Sequence, residues 1–261
     1  MPVTSSFLKR LWRIEAMNIK AIKELLEEVG EYQLAQQNDL DVEMKGYRDP
    51  VTQVDGNSES MLEKGLKKIL PEADFRGEER EWSLWEGLCW VVDPLDGTKS
   101  YVAGRTGWGI SVALFDGKEV ILAACYCPQT KEFFHAEKGK GAFCNKKRIQ
   151  VNPEKKDFVV SSFFKDLDLP KTVHDGAYYK CCMIADGRFG AYPHWELNGK
   201  GLKVWDVAAG ALIVEEAGGK VCEIDGSRLD LYLEDPLVKS FFASNGTETL
   251  IKELQTLTLG L

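Results

Sequence analysis

Leu88-Cys89-Trp90-Val91-Val92-Asp93-Pro94-Leu95-Asp96-Gly97-Thr98-Lys99 decides how the rest of the chain is read. Leu88 to Val92 is an unbroken apolar run of strand length, so it reads as a buried strand. Two carboxylates follow, then a glycine and a hydroxyl. Pro94 stiffens the backbone between the acids. Gly97 bares a backbone N–H, and Thr98 is placed to open a short helix. Carboxylate oxygens suit metal ions, and amide donors at a helix start suit a phosphate. Asp93 directly follows the strand, where an unpaired charge would be costly.

The 261 residues suffice for one large domain or two intimate halves. A hydrophobic fraction of 44% and a charged fraction of 28% are those of a globular protein. The net charge of −8 argues against nonspecific nucleic-acid binding and against adhesion to anionic membranes. No apolar stretch approaches a membrane span, and Met1 to Trp12 lacks the apolar region of a secretory signal. Seven cysteines, mostly in apolar runs (Cys89, Cys125, Cys127, Cys222), read as reduced core thiols in a cytoplasmic protein. His135, His174 and His194 lie too far apart in sequence to suggest a histidine zinc site.

Outward from the opening stretch, Phe7 to Val29 carries apolar residues at helical spacing, with Gly30 as its expected end. Asn38 to Gly46 reads as a loop or hairpin. Pro50 marks a turn into a helix with N-cap candidates from Asp55 to Ser58 and a body from Ser60 to Leu70. Strands are expected at Gly107–Phe115 and Val120–Cys127, joined by the hairpin signal Asp116-Gly117, then at Glu132–Glu137, after Gly141, and at Phe158–Ser162. Helices are expected at Ala177–Ala185, Trp205–Ala217 and Thr247–Leu257, with strands at Gly190–Trp195, Lys220–Ile224 and Ser240–Ser244 between them. The expected plan is an N-terminal α+β half with a large antiparallel sheet over 1–150. A smaller α/β half over 151–261, supplying Asp206, completes one compact unit.

Four acidic pieces stand out: Asp49 to Asp55, Glu78-Glu79, Asp93 with Asp96, and Asp206. Singly, each has an ordinary reading as a hairpin turn, a solvated pair or a helix cap. Together they form a set whose members would repel one another unless cations intervene.

Gly77-Glu78-Glu79, Asp93-Pro94-Leu95-Asp96-Gly97-Thr98 and Trp205-Asp206-Val207-Ala208-Ala209-Gly210 resemble, in order, the three signature segments of the inositol monophosphatase family. Lys138-Gly139-Lys140-Gly141-Ala142-Phe143 and Glu216-Ala217-Gly218-Gly219 are similar to its lesser landmarks. The resemblance implies a layered αβαβα sandwich of the inositol monophosphatase / fructose-1,6-bisphosphatase type, a homodimer, and Mg2+-dependent hydrolysis of a phosphate monoester. By position, Glu78, Asp93 and the Leu95 carbonyl would hold a first Mg2+. Asp93, Asp96 and Asp206 would hold a second, and Asp55 with Glu78 a third, largely through water. Thr98 bonded to Asp55 resembles the family's proton-accepting pair, with Glu78 orienting the attacking water. Gly97 and Thr98 amides would hold the phosphoryl oxygens, and Asp206 would sit by the leaving alcohol. Ala177 and Glu196 would line the substrate pocket. Lys45 is either a loop lysine near the metals or merely exposed.

The substrate is less legible. An inositol 1-phosphate-like polyol or sugar phosphate is the leading expectation. Lys99 and Tyr192-Pro193 resemble 3′(2′),5′-bisphosphate nucleotidases, and Gly107-Trp108-Gly109 resembles histidinol-phosphate phosphatases. Two further alternatives are a non-catalytic metal- or phosphate-binding protein on the same fold and an aspartyl-phosphate-forming phosphatase. The latter fits poorly, because two residues separate the acids here. No Gly-x-Gly-x-x-Gly supports a dehydrogenase.

Overall fold

The computed structural model describes residues 18–46, 49–160, 171–174, 176–197, 201–247, 250 and 252. The first turns expected from Phe7, the strand end at Ser162, most of the expected helix Thr247–Leu257 and the Lys45 side chain lie outside the described residues.

The described residues open with helix α1 (Ile19–Gln36), the hairpin β1 (Val42–Gly46) and β2 (Asp49–Thr52), and helix α2 (Gln53–Ile69). The strands β3 (Asp74–Gly77), β4 (Leu88–Asp96), β5 (Gly109–Asp116), β6 (Glu119–Cys127), β7 (Glu132–Glu137), β8 (Gly141–Cys144) and β9 (Lys147–Arg148) lie side by side in that order in one sheet. The β3–β4 pair is parallel and the other pairs are antiparallel. The short helix α3 (Thr98–Val102) leaves the end of β4.

A second sheet runs β11–β10–β12–β16–β14, built from β10 (Phe158–Val160), β11 (Lys171–Val173), β12 (Ala191–Trp195), β14 (Lys220–Cys222) and β16 (Ser240–Ser244). Helices α4 (Ala177–Ala185) and α5 (Val204–Glu216) fall between these strands in sequence, and β13 (Leu202–Lys203) pairs with β15 (Leu237–Val238).

Strand alternation explains the layers. Trp90 and Val92 of β4 share a core with Ile22, Leu26 and Val29 of α1 and Leu62 and Leu66 of α2. Cys89 and Val91 point the other way and pack with α4, α5 and, beyond them, Tyr192, Phe241 and Ala243 of the second sheet. Leu250 packs with Phe158, Val160 and Phe242 in a third cluster on that sheet. The order is helices, sheet, helices, sheet, four of the five layers of the αβαβα sandwich, with Leu250 packed on the outer face of the second sheet.

Three local readings are corrected. Helix α1 does not stop at Gly30 but runs on to Gln36. Gly30 serves close packing instead, since a Cβ there would lie 2.7 Å from the Tyr126 ring and 2.9 Å from Pro128. Helix α2 starts earlier than expected and is capped by Thr52, so Asp55 is its N3 residue, completing a reciprocal capping box. Strand β4 does not end at Val92 but continues through Asp96, with its register to β5 broken between Asp93 and Asp96. Pro94 sits inside that irregularity, where its missing N–H costs no ladder bond.

Candidate active site

The period of two that sends Val91 toward α5 sends Asp93 there too. Helix α5 brings Asp206, and the carboxylates of Asp93, Asp96 and Asp206 offer oxygens that all lie within 4.8 Å of one another. Asp93 and Asp96 are buried and Asp206 is partly exposed.

Each acid is aimed by backbone donors. Leu95 N–H donates to Asp93 Oδ1 at 3.0 Å. Tyr178 N–H, at the start of α4, donates to Asp96 Oδ2 at 2.6 Å. Lys203 N–H donates to Asp206 Oδ2 at 2.6 Å, which makes Asp206 an N3 capping residue as well as a member of the cluster.

Glu78 stands in the turn after β3, its N–H bonded to the Val92 carbonyl at 3.2 Å, and is partly exposed. The turn is clasped from α2. The buried Glu59 accepts Glu79 N–H at 2.9 Å and Arg80 Nε at 2.7 Å. A Cβ on Gly77 would lie 2.0 Å from Glu59 Oε2, so only glycine lets the helix approach this closely.

Asp55 is buried at the start of α2. Its Oδ2 accepts the Thr52 amide at 2.8 Å and the Thr52 hydroxyl at 2.7 Å, and its Oδ1 accepts the Thr98 hydroxyl at 3.2 Å. That hydroxyl also lies 3.0 Å from the Leu95 carbonyl. Gly97, at φ +85°, turns the chain from β4 into α3. A side chain there would be strained by that φ and would meet the Gly107 carbonyl and the Gly176 backbone at 3.2 Å. Lys99 follows in α3, partly exposed.

The electrostatics are those of crowded acids. Burial, then the charge of Glu78, then those of Asp96 and Asp206, hold the Asp93 carboxyl well above the usual range. Burial pushes Asp96 up to about 7, while the charge of Lys180 and the Tyr178 amide pull it down. Burial and then Asp96 push Asp206 up to about 7. A divalent cation among these oxygens would replace repulsion with attraction. The donors are all oxygen, which suits hard ions such as Mg2+, Mn2+ or Ca2+. The residues therefore fit a metal centre.

Of the other expected pocket residues, Ala177 lies buried at the first turn of α4 beside the amide that binds Asp96. Glu196 follows β12, its N–H bonded to the Lys239 carbonyl at 2.7 Å. The two lesser landmarks meet: Glu216 accepts Gly139 N–H at 2.6 Å and Gly141 N–H at 2.7 Å.

Sequence reading missed Thr52, Glu59 and Lys180. Lys180 had a visible sign, as the single charge in the otherwise uncharged helix Ala177–Ala185.

Comparisons with known proteins agree with this fold. The family model described as "Inositol monophosphatase family" matches residues 12–259. An inositol-1-monophosphatase of Caulobacter vibrioides is 33% identical over 252 residues, covering 87% of this chain and 92% of the relative. A "Fructose-1,6-bisphosphatase/inositol-1-monophosphatase" of Thermotoga maritima is 30% identical over 238 residues, covering 85% and 89%. Among solved structures, a Thermotoga maritima IMPase superposes with a TM-score of 0.82 at 27% identity, covering 93% of this chain and 98% of the other. Some relatives carry another name, among them a "Putative Nus factor SuhB" of Neisseria meningitidis, 34% identical over 204 residues and covering 70% and 76%. With the match running over nearly its whole length, the chain belongs to the inositol monophosphatase family and is a metal-dependent phosphoric monoester hydrolase.

Proposed function

We propose that the protein is a Mg2+-dependent phosphatase of a small polyol or sugar monophosphate resembling inositol 1-phosphate. The observation that carries this reading is the convergence of Asp93, Asp96 and Asp206 within 4.8 Å, beside the Gly97 turn.

Glu78, Asp93 and the Leu95 carbonyl would hold one Mg2+, and Asp93, Asp96 and Asp206 a second. Asp55 and Glu78 would hold a third, chiefly through water. Bound there, Mg2+ supplies a more acidic water and neutralises charge on the phosphoryl group. The Gly97 and Thr98 amides hold phosphoryl oxygens, since the first N–H groups of a helix have no intrahelical acceptor. Thr98 accepts a proton from the attacking water as it passes its own to Asp55 along the 3.2 Å contact. Glu78 orients the attacking water opposite the leaving alcohol, and Asp206 sits on the leaving-group side. Ala177 and Glu196 shape the pocket for that alcohol.

We read residues 1–150 and 151–261 as two halves of one catalytic unit, working as a homodimer. All seven cysteines are free of disulfides, which supports a reducing, cytoplasmic setting. No helix among the described residues is long and apolar enough to cross a membrane.

The test is phosphate release from inositol 1-phosphate, 3′-phosphoadenosine 5′-phosphate, histidinol phosphate and fructose 1,6-bisphosphate, each with Mg2+ and with chelator. The proposal expects Mg2+-dependent release, highest on inositol 1-phosphate. Release from the adenosine compound with none from inositol 1-phosphate would overturn the substrate assignment, and release unaffected by chelator would overturn the metal dependence.

A further inference from the structure

Asp93 Oδ1 is held at 3.0 Å by the N–H of the peptide that joins Pro94 to Leu95. The other end of that peptide is the Pro94 carbonyl. It forms no ladder bond, because the register between β4 and β5 breaks from Asp93 to Asp96. Pro94 and Leu95 are both buried, and a buried carbonyl needs a donor from somewhere else. The donor comes from 61 positions away: Gln33 Nε2 donates to the Pro94 carbonyl at 2.7 Å.

Gln33 is fully buried near the end of α1. A carbonyl oxygen can only accept, so the Pro94 contact fixes which way the side-chain amide faces. The same Nε2 donates to Ser58 Oγ of α2 at 3.1 Å. The main-chain carbonyl of Gln33 accepts the Tyr101 hydroxyl of α3 at 2.6 Å. One residue thus ties the irregular end of β4 to α1, α2 and α3. The peptide plane turns this tie into a relay. C=O and N–H of one trans peptide point in opposite directions in a common plane, so fixing the oxygen fixes the hydrogen. The bond accepted by the oxygen also polarises the N–H and strengthens the bond that it gives.

We propose that Gln33 is a positioning residue: by holding the Pro94 carbonyl it orients the Pro94–Leu95 peptide, whose N–H aims Asp93 at Asp96 and Asp206. This rests on the reading of Asp93 as a Mg2+ ligand. The carbonyl of Leu95, the other group expected at the first ion, belongs to the next peptide and moves with the same rotation. Without the amide, the Pro94 carbonyl would be buried with no donor, and the peptide would turn to find one.

The test uses the full chain with Gln33→Met, which keeps the side-chain length and removes the donors, and Ser58→Ala, which cuts only the link to α2. Mg2+ alone is titrated by calorimetry without substrate, and the Leu95 amide proton is followed by NMR in chelator. Gln33→Met should weaken Mg2+ binding by about 10- to 100-fold, the usual cost of losing a group that orients a metal ligand. Its Leu95 amide resonance should move upfield as the bond to Asp93 lengthens. Ser58→Ala should keep the parent's affinity and the parent's resonance. A glutamine that only braced the helices would lower the melting temperature in both variants and leave affinity and resonance alone, and that result overturns the proposal. Should Gln33→Met fail to fold, the parent decides. Scalar couplings across both hydrogen bonds, Gln33 Nε2 to the Pro94 carbonyl carbon and Leu95 N to the Asp93 carboxyl carbon, should be present, and the lack of either overturns the relay. A parent chain that binds no Mg2+ refutes the metal centre instead, so the two readings fail by different observations.

Discussion

The Thr98 hydroxyl donates to Asp55 Oδ1 at 3.2 Å, while Asp55 Oδ2 caps its own helix through Thr52. One carboxylate therefore does two jobs with two oxygens, and the jobs can be separated. Thr98→Val removes only the hydroxyl. It should lower kcat by about 10²–10⁴-fold, the usual range for a lost proton-transfer group, with little change in melting temperature. Asp55→Ala should lose activity and also about 1 kcal/mol of stability through the missing cap. Steady-state kinetics and urea melts on the two variants check this. Equal stability loss in both would contradict it.

Gly77 and Glu59 form a clasp that aims Glu78. A Cβ at Gly77 would lie 2.0 Å from Glu59 Oε2, and Glu59 holds the Glu79 amide and Arg80. Gly77→Ala should cost about 1–3 kcal/mol, as other overpacked sites do, and should weaken Mg2+ binding as the turn moves. A denaturant melt and a Mg2+ titration read the two effects separately. An alanine variant with parental stability and parental affinity would show that the turn does not depend on this approach.

His194 supplies the pH dependence. Burial, then the charge of Lys180, push its imidazole down to about 3. Unfolded, the same group takes up a proton near 6.5. Its contribution to stability is therefore fully present above pH 6.5 and is lost as pH falls from there toward 3, by up to about 5 kcal/mol. Asp96 and Asp206 act oppositely in the metal-free protein, since their pKa values are raised to about 7 and their contribution fades as pH rises through that value. Comparing the parent with His194→Gln isolates the histidine. Between pH 6.5 and 4 the parent should lose stability more steeply than the variant. Parallel curves would mean the imidazole is not held neutral.

Asp93 is buried among like charges, and its carboxyl is held well above the usual range. Asp93→Asn removes one repelling charge while keeping the shape. In chelator at pH 8 it should melt higher than the parent, by about 3 °C for each kcal/mol of relief. In Mg2+ the order should reverse, because the parent gains an ion and the variant does not. A thermal scan of both proteins under both conditions tests the crossing.

Most of this arrangement was legible in the chain. The run Leu88–Val92 announced a buried strand, and Asp116-Gly117 announced a hairpin, because both signals are local. Ala177–Ala185 and Ser240–Ser244 fell where their apolar patterns put them. The misread boundaries had non-local causes. Gly30 looks like a helix stop, but its reason lies at Tyr126 and Pro128, nearly a hundred positions away. Thr52 lost to Asp55 as the expected cap because both residue types suit the position, and only the fold shows them capping each other. Asp93, Asp96 and Asp206, which the fold brings together, were singled out because their spacing resembles a family pattern. Glu59 and Lys180 were missed because each acts through backbone groups brought near by folding, which no spacing records.

The most direct test of the account is diffraction from crystals soaked in Mn2+, whose anomalous signal marks the ion itself. The account predicts strong peaks bonded to carboxylate oxygens of Asp93, Asp96 and Asp206, absent from crystals of Asp93→Asn treated the same way. Soaked crystals with Mn2+ at other carboxylates but none among these three would contradict it.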